Sequence, residues 1–137
     1  MTLKLKDKLI LLLNRREYSA FELTQKMLDK GFPEEAIDHE LTMLQEEGLQ
    51  SDKRFCESIC RHYSYQGKGP LFVRHELVNR GVDALLIEQT IEAFYWQDAY
   101  TMALRKLGGL EKNVLHKRLF NRGFPSDFIA TTTLEKK

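Results

Sequence analysis

The stretch LTQKMLDKGFP, at residues 23–33, decides the fold because its pattern occurs three times in the chain. It returns as VRHELVNRGVD at residues 73–83 and as LHKRLFNRGFP at residues 115–125. The glycines stand at positions 31, 81 and 123, so they are 50 and then 42 residues apart. Repetition at this period is typical of a modular array. It favours an extended binding surface over an active-site cleft.

The pattern predicts a helix, a tight glycine turn and a second helix. Apolar residues at 8, 4 and 3 positions before each glycine fall on one stripe of a helix. The basic residue beside the glycine complements the helix dipole, and glycine readily adopts the left-handed backbone that ends many helices. The apolar residue after the glycine can pack back over the turn. Pro33, Asp83 and Pro125 then mark the start of the next helix.

Each copy of the pattern leaves room for one more helix ahead of it, which predicts an all-α chain of three tandem three-helix repeats. We place these helix-turn-helix-like repeats at residues 1–49, 50–95 and 96–137. Ser19-x-x-Glu22 forms a capping box that opens the second helix, and Pro70 fits the first turn of the fifth. No window shows the alternation of a strand. We therefore expect nine helices.

The composition fits an ordinary globular chain with solvated helix faces. The chain has 137 residues, of which 42% are hydrophobic and 30% charged, and its formal net charge is +1. The three predicted repeats carry charges of −3, zero and +4 in chain order. This asymmetry suggests that the acidic first repeat repels polyanions and that the basic third repeat can lie beside them. The longest apolar run, Leu9–Leu13, is too short to span a membrane, and we expect a cytoplasmic protein without a signal peptide or membrane partner.

No residue pattern in the chain points to catalysis. The histidines lack a neighbouring nucleophile in a known motif, and Gly67-Lys68-Gly69 lacks the spacing of a phosphate-binding loop. Cys56 and Cys60 share a helix face, but a closed zinc site needs four ligands and the chain has no second cysteine pair. We therefore expect buried, reduced thiols, no metal or other cofactor, and no enzymatic activity.

A three-helix unit of this size is similar in outline to a helix-turn-helix module, which reads DNA with the helix after the turn. Here the helices after the turns begin Glu34-Glu35, Asp83 and Ser126-Asp127. Acidic residues at the leading end of a helix would repel phosphates, although they suit the positive end of its dipole. The pattern therefore favours a packing turn over major-groove reading.

The segment YSYQGKGPL, at residues 63–71, combines two tyrosines, a lysine and a glycine-rich loop. Arg74 and Arg80 follow on the next helix. Tyrosine and arginine are favoured at interfaces because they offer rigid contact area and directed hydrogen bonds. A Gly-Lys-Gly-Pro loop has no evident packing need. An interface and an ordinary connection both stay open for this segment.

The order and spacing of several short segments make the chain resemble the RecX family over nearly its full length. The segments are RREYS at 15–19 with Glu22-Leu23, KGF at 30–32, EEGL at 46–49 through Asp52-x-Arg54-Phe55, and GKGP at 67–70 with Glu76-Leu77 and RGV at 80–82. The resemblance implies an elongated, curved monomer of three three-helix repeats. It also implies binding to the RecA recombinase filament and inhibition of its strand-exchange, ATPase and coprotease activities, with a role in DNA repair and the SOS response.

The chain departs from the family at the Gly-Lys-Gly-Pro loop, where members often carry a basic residue on each side. This chain has Tyr65-Gln66 before the loop and Phe72 after it. Many members are also more basic overall. Strong intrinsic affinity for DNA is therefore not expected, whereas the expected contact with protein is unaffected.

The resemblance and the charge asymmetry together suggest how the array faces its partner. The basic third repeat would face DNA or an acidic filament surface, and the acidic first repeat would face protein. We expect contacts to RecA, and through the filament to single-stranded DNA, from Lys68, Arg74, Arg80, Arg105, Lys106, Lys117, Arg118 and Arg122. The helix dipole offers a simpler explanation for Arg80 and Arg122.

Two other functions stay open at this point. A direct nucleic-acid binder, with weak affinity for free DNA, would bind without RecA and would lose affinity as salt rises. A scaffold for a different partner would leave RecA unaffected. End-capping of the filament and blocking of its groove are equally compatible with the residues.

Overall fold

The computed structural model describes the backbone of residues 4–135 and the side chains of residues 4–130. This part of the chain contains helices and no strands, which confirms the all-α prediction. Its nine helices are α1 (Leu5–Arg15), α2 (Ala20–Asp29), α3 (Glu34–Glu46), α4 (Asp52–Tyr65), α5 (Pro70–Asn79), α6 (Ala84–Ala93), α7 (Gln97–Leu107), α8 (Lys112–Asn121) and α9 (Ser126–Glu135). None of these described helices is long and apolar enough to cross a membrane. Helices α1–α3, α4–α6 and α7–α9 are called here the first, second and third repeats.

A glycine with a left-handed backbone follows the second helix of each repeat, as the pattern predicts. Gly31, Gly81 and Gly123 have φ angles of +91°, +73° and +100°. The residue after each glycine donates its N–H to a carbonyl five residues earlier, as Val82 does to Leu77 at 3.2 Å. This pairing satisfies carbonyls that the end of a helix leaves open. The third helix of each repeat begins three residues after the glycine.

Caps and fixed backbone angles set the starts of several helices. The Ser19 hydroxyl accepts a bond from the Glu22 N–H at 3.1 Å, while the Glu22 carboxylate accepts one from the Ser19 N–H at 3.0 Å. The Asp83 carboxylate accepts bonds from two N–H groups in the first turn of α6. Pro70 stands in the first turn of α5. The predicted capping box and the predicted starts of α5 and α6 are thus confirmed.

The apolar stripe of the repeated pattern is narrower than the sequence predicts. The residues 8 and 4 positions before each glycine are buried or half-buried in every repeat. The residues 3 positions before it, Leu28, Val78 and Phe120, are instead 36%, 58% and 50% exposed. Neighbouring residues point about 100° apart around a helix, so a narrow packing face accommodates only one of the two adjacent positions. The shared helical stripe therefore does not by itself decide which of the two adjacent positions is buried.

The described helices enclose two separate hydrophobic cores. The first repeat has its own core, with the fully buried residues Leu9, Leu23, Met27, Ile37 and Leu44. The second and third repeats share the other core, which extends from Phe55 in α4 to Ile129 in α9. Helix α4 is central to the shared core because it packs against α5, α6 and α7. The break between the cores lies between the first and second repeats.

The contact between the first and second repeats, called here the first junction, is largely polar. The Ser19 hydroxyl donates to the carbonyl of Arg80 at 2.8 Å, and the Arg80 guanidinium pairs with Glu22 at 3.0 Å. The buried Gln50 amide donates to the carbonyl of Tyr18 at 3.1 Å. These bonds hold the start of α2 against the second repeat. The Phe21 ring also packs on Gly81. The first junction therefore depends on hydrogen bonds, charge and this one ring rather than on a shared core.

The contact between the second and third repeats, called here the second junction, is a close approach of two backbone segments. The N–H groups of Gly69 and Leu71 donate to the carbonyls of Arg122 and Gly123 at 2.8 and 2.9 Å. A Cβ on Gly69 would lie 2.7 Å from the Gly123 carbonyl oxygen, and one on Gly123 would lie 2.5 Å from the Phe72 amide nitrogen. Only glycine fits at either position. The Gly-Lys-Gly-Pro loop therefore has a packing role, and the prediction that it has no such need is wrong.

The two junctions use equivalent parts of the repeat. Ser19 and Gly69 are the N-cap residues of α2 and α5, the second helices of their repeats. Each donates a hydrogen bond to the carbonyl of the residue just before the turn glycine of the next repeat. The repeats are therefore joined head to tail by one recurring contact, in which a helix start docks on a glycine turn.

Candidate functional site

Four of the predicted contact residues form an exposed basic set on the third repeat. Arg105 and Lys106 lie in the last turn of α7, and Lys117 and Arg118 lie in the second half of α8. All four are exposed, and none pairs with another side chain among those that the structure describes. Their charged groups make no ion pair or hydrogen bond with the side chains that the structure describes. They are therefore available to an acidic partner.

Arg105 also borders an open groove between α4 and α7. The groove measures about 460 Å³ and is lined by Arg61, Ser64, Tyr65, Phe94, Asp98, Thr101, Met102 and Arg105. Tyr65 is 80% exposed and presents its ring to solvent. An aromatic ring beside two guanidinium groups suits a partner with apolar and acidic groups.

Sequence reasoning misses Arg61 as part of this surface. It stands four residues before Tyr65 on α4, and residues at that spacing share a helix face. Tyr65 belongs to the segment that the sequence singles out, and its helical spacing from Arg61 is the signal that could have identified Arg61. Phe94 and Met102 carry no comparable signal, because their place in the groove depends on how α6 and α7 pack against α4.

Two predicted contact residues of the second repeat have partners within the protein. The Arg74 guanidinium forms a bidentate pair with the Glu88 carboxylate of α6, at 2.7 and 3.0 Å. The Lys68 ammonium lies 4.8 Å from the centre of the Phe72 ring. The Arg74–Glu88 pair is exposed, and such pairs contribute at most about 1 kcal/mol. A partner's carboxylate could therefore replace Glu88 with little loss of free energy.

Arg80 and Arg122 lie at the junctions rather than on an open surface. Arg80 pairs with Glu22 across the first junction, and its side chain is 28% exposed. The Arg122 guanidinium donates to the carbonyl of Gln66 at 3.3 Å across the second. Lys30, the equivalent residue of the first repeat, is exposed and has no such bond among the described residues. The two arginines thus link repeats, which the helix dipole alone does not explain.

Cys56 and Cys60 lie in the shared core as free thiols, which confirms their predicted burial. Burial raises the pKa of Cys56 to about 11 and that of Cys60 to about 12. Because the thiolate is the reactive form, both thiols are protonated and unreactive at neutral pH. Within residues 4–130, no three or more His, Cys, Asp or Glu side chains are grouped to hold a metal ion.

Two family models match the first two repeats of the chain. The model described as the first three-helix domain of RecX matches residues 5–42. The model described as the second three-helix domain of RecX matches residues 51–91. The first match spans α1, α2 and most of α3, and the second spans α4, α5 and most of α6.

Curated relatives are similar to the chain over most of its length. "Regulatory protein RecX" of Legionella pneumophila (strain Corby) is 36% identical over 140 residues, which cover 96% of this chain and 93% of the relative. The protein of the same name from Pseudomonas putida (strain GB-1) is 38% identical over 127 residues, which cover 86% of this chain and 81% of the relative. Both relatives are named as regulators.

Solved structures share the fold. The crystal structure of RecX from Lactobacillus salivarius superposes with a TM-score of 0.80 at 19% identity, covering 96% of this chain and 93% of that one. A second crystal structure, of a regulatory protein RecX, superposes with a TM-score of 0.71 at 18% identity, covering 90% of this chain and 67% of that one. At these identities, the likeness concerns the arrangement of the helices.

Proposed function

Because the chain belongs to the RecX family, we propose that it regulates the RecA recombinase in the cytoplasm by binding the filament that RecA forms on single-stranded DNA. Binding lowers the strand-exchange, ATPase and coprotease activities of RecA, and the chain itself catalyses nothing. The observation that carries the proposal is 36% identity over 96% of the chain to a relative named as a regulatory protein. The consequence is control of DNA repair and of the SOS response.

The head-to-tail array supports binding to more than one RecA protomer. A filament presents the same protomer surface at regular intervals, and a monomer of three similar repeats can meet several of them at once. Weak contacts that are linked in one chain bind together with a high effective concentration. A chain held in this way blocks a second DNA strand or a coprotease client.

The proposed contact surface centres on the exposed basic set of Arg105, Lys106, Lys117 and Arg118. These residues face acidic protein surface or the phosphates of DNA in the filament, because they have no partner among the described side chains. Lys68 and Arg74 contribute secondary contacts. Arg80 and Arg122 contribute indirectly, by holding neighbouring repeats in place at the junctions.

The DNA-dependent ATPase of RecA tests the proposal. The chain is added from far below one copy per RecA protomer to one copy per protomer, and ATP hydrolysis is measured at each ratio. We expect inhibition at some ratio in this range. Inhibition far below one copy indicates end-capping, and inhibition near one copy per few protomers indicates groove blocking. An unchanged rate at every ratio would contradict the proposal.

A second candidate function is direct binding of nucleic acid by the same exposed basic set. The observation that favours it is the lack of intramolecular partners for these four cations, since phosphates are strong acceptors for arginine. Binding of labelled single-stranded DNA, measured without RecA at rising salt, separates the two functions. A direct binder loses affinity steeply with salt, because each phosphate contact releases counterions. A pure RecA regulator shows no appreciable binding in this assay.

A further inference from the structure

Tyr65 is the most exposed of the large hydrophobic side chains that the structure describes. It is 80% exposed at the end of α4, and its ring packs against no other described ring. Tyr63, two residues earlier, is half-buried and meets the rings of His62 and Phe72. An exposed ring gains nothing from burial in the folded chain, so packing does not explain the tyrosine at position 65.

The backbone beside Tyr65 is fixed against α7 by close contacts. Gly67 has a φ angle of +78°, and a Cβ there would lie 3.0 Å from the backbone nitrogen of Ala103. The Arg122 guanidinium donates to the carbonyl of Gln66 at 3.3 Å. These contacts hold the end of α4 at one position beside α7. A ring presented in this way loses little conformational entropy when a ligand packs on it.

Two arginines border the groove in which Tyr65 lies. Arg61 stands one helical turn before Tyr65 on α4, and Arg105 lies in the last turn of α7, followed by Lys106. Both arginines are exposed and pair with no described side chain. Asp98 is the one acidic residue of the lining and lies about two turns before Arg105. Two arginines against one aspartate leave the lining with a net charge of +1, which favours an anionic ligand.

An exposed ring beside unpaired guanidinium groups matches the two parts of a nucleotide. A base stacks on an aromatic face, and a phosphate accepts hydrogen bonds from a guanidinium. An acidic peptide also offers anions, but its apolar anchors need a pocket that closes around them. The groove of about 460 Å³ is open, and its tyrosine ring faces solvent. These observations favour a nucleotide over a peptide.

We propose that this groove holds one nucleotide of a single-stranded nucleic acid, with the base stacked on Tyr65 and a neighbouring phosphate paired with Arg105. The site rests on direct binding of nucleic acid, the second candidate function above, and names the part of the ligand that this binding requires. Stacking uses the face of a base rather than its edge, so the site accepts any base. Bases in a duplex are already stacked on one another, so the ligand is a single strand.

Two oligonucleotides of equal length and charge test the site, one of thymidine and one with abasic sugars. Their binding is measured by fluorescence anisotropy at low salt. The unmodified chain should bind the thymidine strand at least about fivefold more tightly, the fold-change that about 1 kcal/mol of stacking gives. Tyr65→Ala should abolish this preference without changing binding of the abasic strand. Tyr65→Phe should keep the preference, because phenylalanine retains the aromatic face.

Two further variants separate the ring from the charge. Tyr95→Ala removes a ring that is 65% exposed and lies outside the groove lining, and it should leave the preference for thymidine unchanged. Arg105→Gln should weaken binding of both strands by a similar factor, because both strands carry the phosphates.

Equal binding of the two strands by the unmodified chain overturns the proposal, as does no binding of either strand. A preference for thymidine that survives in Tyr65→Ala also overturns it. A glutamate-rich peptide with interspersed leucines probes the other occupant. If Tyr65→Ala abolishes binding of this peptide but not of the thymidine strand, the groove binds protein and the proposal fails.

The RecA ATPase assay keeps the nucleotide site apart from regulation of RecA. Inhibition by a chain that binds neither oligonucleotide overturns the nucleotide site alone. Base-dependent binding by a chain that leaves the ATPase rate unchanged supports the nucleotide site and contradicts the regulatory proposal alone.

Discussion

At the second junction, the backbones of Gly69 and Gly123 meet beside a core that the second and third repeats share. At the first junction, the start of α2 meets the Gly81 turn through hydrogen bonds and ion pairs, between two separate cores. The recurring contact is the same, but its surroundings differ. The same sequence motif therefore forms two kinds of junction between repeats. The last two repeats share one core, and the first repeat is attached to them by polar groups and by the Phe21 ring, which packs on Gly81.

The largest expected effect comes from a methyl group at the second junction. Gly123→Ala should lower the free energy of unfolding by about 4 kcal/mol, because a left-handed backbone and overpacking each cost about 1–3 kcal/mol. Gly31→Ala is the matched control, with a similar φ angle but open space, and should cost about 1–2 kcal/mol. Urea unfolding followed by circular dichroism measures both. Equal losses would contradict the close approach at the second junction.

A smaller effect is expected from the ion pairs of the first junction. Arg80→Met removes the guanidinium that pairs with Glu22, and it should weaken the junction by about 1–2 kcal/mol. Arg74→Met removes a bidentate pair that lies within the second repeat, and it should cost less than about 1 kcal/mol. Hydrogen exchange at the start of α2 distinguishes them. Faster exchange is expected in the Arg80 variant alone, and equal exchange in both variants would show that the pair does not hold the junction.

Two N-cap serines provide a finer comparison. Ser19→Ala removes the cap of α2 together with the bond to the Arg80 carbonyl, and we expect a loss of about 2 kcal/mol. Ser51→Ala removes only the cap of α4, an acceptor for the Arg54 N–H at 3.2 Å, and we expect about 1 kcal/mol. Thermal unfolding measures the difference, which is the contribution of the bond across the junction. Equal losses would assign no stabilisation to that bond.

The smallest expected effect is on thiol labelling. Cys56 and Cys60 both lie in the core shared by the last two repeats, and the sequence has no other cysteine. Loosening the first junction by Arg80→Met should therefore leave the rate of alkylation at neutral pH unchanged, whereas Gly123→Ala should raise it. If Arg80→Met accelerates labelling as much as Gly123→Ala does, the two cores unfold as one and the comparison between the junctions fails.

The parts of the fold that follow from nearby residues could be predicted from the sequence. The glycine turns, the Ser19 capping box and the start of α5 at Pro70 depend on residues within a few positions of one another. Burial of the residues 8 and 4 positions before each glycine follows from helical spacing alone. The repeated pattern therefore carries enough local information to specify each three-helix unit.

The parts that depend on distant residues could not be predicted in this way. The need for Gly69 arises from Gly123, and the bond of Ser19 is to a carbonyl 61 residues away. For the same reason, the sequence does not distinguish Arg122, which bonds across a junction, from Arg105, which has no partner among the described side chains. Assigning roles to cations requires knowing which repeat lies beside each of them.

We propose that the exposed basic set of the third repeat contacts the RecA filament, and inhibition of the RecA ATPase by charge-reversed chains can show whether this contact exists. The variant Arg105→Glu/Lys106→Glu is compared with Lys4→Glu/Lys26→Glu, which changes the net charge equally at exposed sites of the first repeat. We predict that the first variant needs at least about tenfold more protein for half-inhibition, a loss of about 1.4 kcal/mol or more. The control should inhibit like the unmodified chain. Undiminished inhibition by the first variant, or an equal loss in the control, would show that Arg105 and Lys106 do not make this contact.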